Sequence, residues 1–180
     1  MQVNNNRFAQ LAALGMSVFH AGDMANLWHI TNQNTLSKTL SRYASSGMIY
    51  RIHKGFYSIK KPSDLDPYLV GIKALHGPAY VSCESVLFDN GIINQSPQEI
   101  TLVGRASKRF AIAGHRFRAR KLRDIFLLND IGITTKNGVR VASLDRAVAD
   151  MLYFNPKKYF DALNPRLLDN AKKITDAIGY

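Results

Sequence analysis

Hydrophobic residues return at helical spacing in the segment 33–46. Leu36, Leu40 and Tyr43 lie four and three residues apart, which places them on one side of a helix. Gly47 follows this stretch and predicts the end of the helix. The remaining positions are largely polar, so the segment predicts an amphipathic helix with one buried face and one exposed face.

The pattern changes from helical spacing to that of a hairpin directly after this helix. Residues 48–52 alternate as a strand does, and residues 56–59 predict a returning strand. His53, Lys54 and Gly55 form the predicted turn, because Gly55 supplies the backbone freedom that a tight hairpin needs. The elements before the amphipathic helix are predicted helices over 5–14 and 21–29 and a predicted strand over 17–19. Three helices followed by a hairpin are the layout of a winged helix-turn-helix.

The pattern beyond the hairpin mixes helices and strands. Residues 60–67 combine two prolines with small and charged residues and predict a linker. Predicted helices cover 67–76, 83–90 and, capped by Ser143, the segment to Phe154, followed by two helical stretches split by Pro156 and Pro165. Predicted strands cover 80–82, 99–103, 110–112, 115–122, 133–135 and 139–142. The sequence therefore predicts an α+β protein with an N-terminal winged helix-turn-helix domain, residues 1–61, and a mixed α/β C-terminal domain, residues 67–180.

Composition narrows the class of protein. The 180 residues are 46% hydrophobic and carry a formal net charge of +11, which indicates a polyanionic partner. Residues 1–62 contain Asp23 as their one acid, and the run Arg105–Arg123 contains no acid. The apolar runs are too short to span a membrane and the start is polar, so we expect a cytoplasmic protein with no membrane partner. A single cysteine and the absence of zinc-type spacing predict neither a disulfide nor a metal or other cofactor.

The polar face of the 33–46 helix carries side chains suited to reading DNA. Asn32, Gln33 and Asn34 have paired donors and acceptors that match base edges, and the residue suited to a guanine is Arg42. The side chains suited to phosphate oxygens are Thr35, Ser37, Lys38 and Ser41. Residues expected to touch the DNA backbone from the wing are Arg51, His53 and Lys54. Most surface helices have a polar face that is only solvated. A basic hairpin follows this helix directly, which favours DNA binding over that simpler interpretation.

Several motifs occur in an order that resembles AbiEi-type antitoxins of type IV toxin-antitoxin systems. The matching segments are 19–25, 35–40, 47–57, 80–87, 91–93, 99–103 and the Ser-x-x-Arg-x-x-x-Asp element at 143–150. Cys83 and Asn90 depart from the family, which often has histidine at both positions. The resemblance implies a repressor that binds the promoter of its own operon through the winged helix. It also implies that the C-terminal domain counters a nucleotidyltransferase-like toxin, with direct contact left open.

The sequence offers further candidate sites beyond residue 67. Alternation along the predicted strand 115–122 puts Arg116, Arg118 and Arg120 on one face, which would form a second basic surface or a solvated one. The four-residue spacing of Arg146 and Asp150 favours an internal ion pair over a binding site. Burial near the start of a helix is favoured over nucleophilic reactivity for Cys83.

Three alternatives to a DNA-binding repressor stay open. A nuclease needs clustered carboxylates, often with a nearby lysine, but Glu99-Ile100-Thr101 has threonine where that lysine would stand. We therefore do not expect an enzyme. A winged helix can also serve only to dock proteins. An RNA-binding protein is the third alternative, although Tyr50, Phe56 and Tyr57 are better explained by hairpin packing than by base stacking.

Overall fold

The computed structural model describes residues 2–180, and it describes the side chains of residues 7–180. The described chain is an α+β protein, as predicted, with eight α-helices, a three-stranded antiparallel sheet near the N-terminus and a six-stranded mixed sheet. None of the helices within residues 2–180 has the length and apolar character needed to cross a membrane.

The first part of the chain alternates helices with the strands of the small sheet. Its elements are α1 (Gln2–Ala13), β1 (Val18–His20), α2 (Ala21–Leu27), α3 (Gln33–Ser45), β2 (Tyr50–His53) and β3 (Phe56–Ser58). The strand order is β1-β3-β2, and both pairings are antiparallel. These six elements confirm the predicted three helices, short strand and hairpin, with bounds that differ by a few residues.

Helix α3 is fixed by the residue that precedes it, Asn32, and by its buried face. The Oδ1 atom of Asn32 accepts hydrogen bonds from the backbone N–H groups of Asn34 and Thr35, at 2.9 and 3.2 Å. Leu36, Leu40 and Tyr43 are buried, as their spacing predicts. They pack in one cluster, whose other buried members are Leu11, Phe19, Met24, Trp28, Ile30, Ile49 and Tyr57. The polar face of α3 is therefore held in a defined orientation toward solvent.

The second part of the chain forms the larger sheet and its covering helices. Its helices are α4 (Pro67–Lys73), α5 (Glu84–Asp89), α6 (Asp124–Leu127), α7 (Leu144–Phe154) and α8 (Pro165–Ile178). Its strands are β4 (Ala79–Val81), β5 (Ile100–Gly104), β6 (Lys108–Ile112), β7 (His115–Lys121), β8 (Ile133–Lys136) and β9 (Val139–Ala142). The strand order is β6-β7-β5-β4-β9-β8, in which β5/β7 and β4/β9 are parallel pairs.

One prediction about the last third is wrong, and one short helix has no counterpart in the sequence analysis. The single-turn helix α6 was not predicted, because one turn is too short to show a hydrophobic period. The stretch between Pro156 and Pro165 is not helical, and one helix, α8, follows it. Proline lacks the N–H group that continues a helix, but it is tolerated at the first helical position, where Pro165 stands. Asn164 begins α8 by accepting a hydrogen bond from the N–H of Leu167 at 2.8 Å.

The predicted linker is an ordered, partly buried connection. It contains a turn of 3-10 helix over Pro62–Asp64, and Leu65 is buried in a small cluster with Val18, Phe56 and Val70. This cluster joins β1 and β3 of the small sheet to α4, so apolar contacts connect the two parts of the chain.

Candidate nucleic-acid interface

One face of α3 is polar and exposed along its whole length. The exposed residues at and along this helix are Asn32, Gln33, Asn34, Thr35, Ser37, Lys38, Ser41 and Arg42. Helix α3 contains no acidic residue. Asn34, Lys38 and Arg42 are four residues apart and form one stripe, and Gln33, Ser37 and Ser41 form a neighbouring stripe. The arrangement offers positive charge and amide groups without a carboxylate that would repel phosphate.

Asn32 caps the N-terminus of α3, a role that the sequence analysis does not assign to it. Its side-chain oxygen accepts the N–H groups at the start of α3, so this oxygen is used inside the protein. The amide nitrogen of Asn32 is left to donate a hydrogen bond outward. The expected pairing of donor and acceptor on a base edge therefore remains with Gln33 and Asn34, not with Asn32.

The hairpin presents its basic residues beside α3. Arg51, His53 and Lys54 are exposed, and the strand pairing shifts register between Arg51 and His53. Gly55 has a φ of 72°, which the turn requires and which favours glycine. The β2–β3 pair is thus a short basic hairpin.

The structure brings part of the predicted set together in a single cleft. This cleft has a volume of about 630 Å³ between α3 and the hairpin, and the predicted site residues that line it are Gln33, Ser37, Ser41, Arg51 and Lys54. The other predicted residues lie outside it, namely Asn32, Asn34, Thr35, Lys38, Arg42 and His53. The interface is therefore a cleft bordered by further exposed polar side chains.

Two basic residues that the sequence did not indicate lie next to the hairpin tip. Lys54 lines a second cleft of about 620 Å³ together with Lys73 of α4 and Arg140 of β9. Arg140 also contacts the carboxylate of Asp130. These residues are far apart in sequence, and the packing of α4 against β1 and β9 brings them close, so no local pattern could have found them.

The histidines at this junction are in contact. The rings of His20 and His76 are 3.7 Å apart between centroids, and Nε2 of His20 lies 2.8 Å from the carbonyl oxygen of Lys73. Partial desolvation lowers the pKa of His76, which is still exposed, and His20 and Lys108 lower it further, while Asp23 acts in the opposite direction. Within residues 7–180, no group of three or more His, Cys, Asp or Glu side chains could hold a metal ion.

The three predicted arginines of the second basic surface do share a strand face. They alternate along β7 with Phe117 and Ala119, both of which are buried. Their surroundings differ, however. Arg120 pairs with Glu84 and lies over the ring of Phe154, with 5.3 Å between its guanidinium carbon and the ring centroid. Arg116 and Arg118 have no salt-bridge partner among the described side chains.

Cys83 is completely buried between β4 and α5, as the sequence suggested. Burial raises the pKa of its thiol well above the ordinary value, and the carboxylates of Asp150 and Glu84 add to this effect. Its backbone has a φ of 53°, in the left-handed region that few side chains adopt. A buried, protonated thiol is a poor nucleophile.

Comparisons with known proteins add no family assignment. No protein-family model matches the chain, and no curated protein matches it in sequence. The likeness to the antitoxin family therefore depends on the order and content of the motifs described above.

Proposed function

We propose that the chain is a DNA-binding transcriptional repressor whose residues 1–61 act as a winged helix-turn-helix. The observation that carries this proposal is the exposed, acid-free polar face of α3 beside the basic β2–β3 hairpin. A helix of this kind fits the major groove, while a hairpin beside it reaches the neighbouring phosphate backbone.

The side chains divide into two roles. Gln33 and Asn34 can each make paired hydrogen bonds to an adenine edge, and Arg42 can do so to a guanine. The residues assigned to phosphate contacts are Thr35, Ser37, Lys38 and Ser41 on α3 and Arg51, His53 and Lys54 on the hairpin. The first group would set sequence preference, and the second would set overall affinity and its dependence on salt.

The proposal extends to an antitoxin role, which the motif resemblance supports. In this scheme the chain represses the promoter of its own operon, and residues 67–180 counter a nucleotidyltransferase-like toxin encoded beside it. The two activities use different parts of the chain, so a variant of α3 should lose repression and keep neutralisation of the toxin. Expression of the toxin with the Lys38→Ala/Arg42→Ala variant, read as cell growth beside a promoter reporter, tests this separation.

DNA binding itself is tested by fluorescence anisotropy with a duplex from upstream of the gene and a scrambled duplex. Arg42→Ala should weaken the upstream duplex more than the scrambled one, by about 1–3 kcal/mol. Lys54→Ala should weaken both equally and reduce the salt slope by about 1. Lys172→Ala, which removes the same charge from an exposed position of α8, is the matched control.

Two results would contradict the proposal. If the affinity for the duplex does not change with salt, the proposed phosphate contacts are not made. If the Arg42 and Lys54 variants bind the duplex like the control, α3 and the hairpin are not the DNA interface. A protein-docking role would instead give no duplex binding and a stable complex in pull-down. A nuclease would degrade the duplex when Mg²⁺ is added.

A further inference from the structure

The face of the large sheet opposite α4 carries a second set of cations. Phe117 of β7 points toward α4, because a Cβ atom placed on Gly71 of that helix would overlap its ring. Alternation then directs Arg116 and Arg118 to the opposite face. In the strand register, Arg118 stands between Arg109 of β6 and Thr101 of β5. This face of the sheet therefore carries arginines on two adjacent strands.

Three neighbouring clefts lie along this face, and we call them together the sheet groove. The central cleft, about 490 Å³, is lined by Glu84, Gln98, Glu99, Arg109, Arg116 and Arg118. A second cleft of about 380 Å³ shares Arg109 and Arg118 with it and extends to Lys121 and Phe154. A third cleft of about 470 Å³ shares Glu84 and Gln98 with the central one and extends to Tyr159. The central cleft therefore shares lining residues with the cleft on either side of it.

The cations of the sheet groove fall into two classes. Arg109 pairs with Glu99 at 3.0 Å, and Arg120 pairs with Glu84. Arg116 and Arg118 have no acidic partner among the described side chains, and they lie two residues apart on one strand, about 7 Å along its axis. Two guanidinium groups at this separation can contact successive phosphates of one nucleic-acid strand.

The far end of the sheet groove has the groups that recognise bases. Tyr159 is 77% exposed, and the exposed amide side chains near it are Asn94, Gln95 and Gln98. The loops that carry them are linked, because the N–H of Asn94 donates to Oδ2 of Asp161 at 2.9 Å. An exposed ring among amide groups is the arrangement on which an unpaired base can stack and form hydrogen bonds.

From these observations we propose that the sheet groove binds single-stranded nucleic acid, with phosphates on Arg116 and Arg118 and a base stacked on Tyr159. A duplex keeps its bases stacked inside, so it cannot use the ring. An acidic protein surface would also match the arginines, but it has no need of an exposed ring surrounded by amides. This activity is separate from duplex binding by α3.

Fluorescence anisotropy of the full chain with short, unstructured, labelled RNA and DNA strands of the same sequence tests the proposal. The Arg116→Ala/Arg118→Ala variant should reduce the salt slope by about 1.4, which corresponds to two lost phosphate contacts on a single strand. Tyr159→Ala should weaken binding by about tenfold, whereas Tyr159→Phe keeps the ring and the affinity. The difference between the RNA and DNA strands shows whether the 2′-hydroxyl contributes.

Matched variants separate this site from general charge and from α3. Lys172→Ala/Lys173→Ala removes the same charge from exposed positions of α8 and should change strand affinity by less than about twofold. Lys38→Ala/Arg42→Ala should weaken duplex binding and leave strand binding unchanged. The arginine variant should do the reverse, so failure of one activity is distinguishable from failure of the other. The unfolding midpoint of each variant confirms that it is folded.

Four results would overturn the proposal. The first is that the wild-type chain does not bind the strands, and the second is that the α8 variant loses as much affinity as the arginine variant. Loss of strand binding in the α3 variant would show that the strands bind to α3 and not to the sheet groove. Unchanged binding by Tyr159→Ala together with capture of the neighbouring gene product through Arg116 and Arg118 would make the groove a protein-docking surface.

Discussion

The Nε atom of Arg146 donates to Oδ1 of Asp150 across 2.9 Å, and neither side chain is exposed to solvent. Both residues lie on α7, one turn apart, so the predicted ion pair is confirmed. The guanidinium also donates to the carbonyl oxygen of Ile131 at 2.8 Å and to the hydroxyl oxygen of Tyr80 at 2.9 Å. Asp150 accepts a hydrogen bond from Ser82 at 2.7 Å. Through these hydrogen bonds, the pair connects α7 to β4 and to the loop after α6.

Removal of one partner of this pair should destabilise the fold strongly. Arg146→Met leaves the Asp150 carboxylate buried without its cation, which is expected to lower the free energy of unfolding by about 3–5 kcal/mol. Urea unfolding followed by circular dichroism measures the change.

The exposed pair between Lys172 and Asp169, 3.8 Å apart on α8, is the control. Lys172→Ala should change stability by less than about 0.5 kcal/mol, because water screens exposed charges. Equal effects of the two variants would show that the buried pair contributes no more than a surface pair.

Gly71 should not tolerate even a methyl group. A Cβ atom there would overlap the ring of Phe117, which is itself fully buried. Gly71→Ala is therefore expected to lower the free energy of unfolding by about 1–3 kcal/mol through overpacking.

Gly77 provides the comparison for this prediction, since a Cβ atom added to it meets nothing within 4 Å. Gly77→Ala should shift stability by no more than about 0.5 kcal/mol in the same urea experiment. A Gly71 variant as stable as the Gly77 variant would mean that α4 can move away from the sheet without penalty.

The sequence predicted the elements whose signals are local. The spacing of Leu36, Leu40 and Tyr43 defined the buried face of α3, and Gly55 indicated the hairpin turn, because helix periodicity and turn chemistry depend on near neighbours. Alternation alone also placed Arg116 and Arg118 on one face of β7.

The remaining features depend on contacts between distant parts of the chain. The parallel pairing of β5 with β7 joins residues on either side of β6, and no local pattern specifies it. The sheet groove forms because the loop that carries Gln98 lies beside the loop that carries Tyr159. Nothing in the sequence of either loop indicates that the two lie close together. Asparagine is suited both to capping a helix and to contacting a base, so the residue type alone does not tell which role Asn32 has. In the structure its side-chain oxygen is used for capping.

Acid should destabilise the fold through His76. Because its pKa is lowered in the folded chain, the unfolded chain binds a proton more readily. This contribution to stability is complete above the ordinary histidine pKa of about 6.5 and is lost as pH falls through the folded value. The melting temperature should therefore decrease as pH is lowered from 7.5 toward 5.

The His76→Asn variant removes the titrating group and tolerates the positive φ of 53° at this position. Its melting temperature should depend less on pH than that of the wild type. His53→Asn, at an exposed position of the hairpin, should keep the wild-type dependence. If His76→Asn has the wild-type pH profile, another group is responsible for any loss in acid.

Variants of Asn32 separate its capping role from the base contact that the sequence predicts for it. Asn32→Ala removes the acceptor for the N–H groups of Asn34 and Thr35 and should lower the free energy of unfolding by about 1 kcal/mol. Asn32→Ser keeps a capping oxygen and should be nearly as stable as the wild type. Both variants lack the amide nitrogen, so both should bind the upstream duplex about fivefold more weakly if that group donates to a base. Wild-type affinity in Asn32→Ser would instead make Asn32 a cap alone and leave base recognition to Gln33, Asn34 and Arg42.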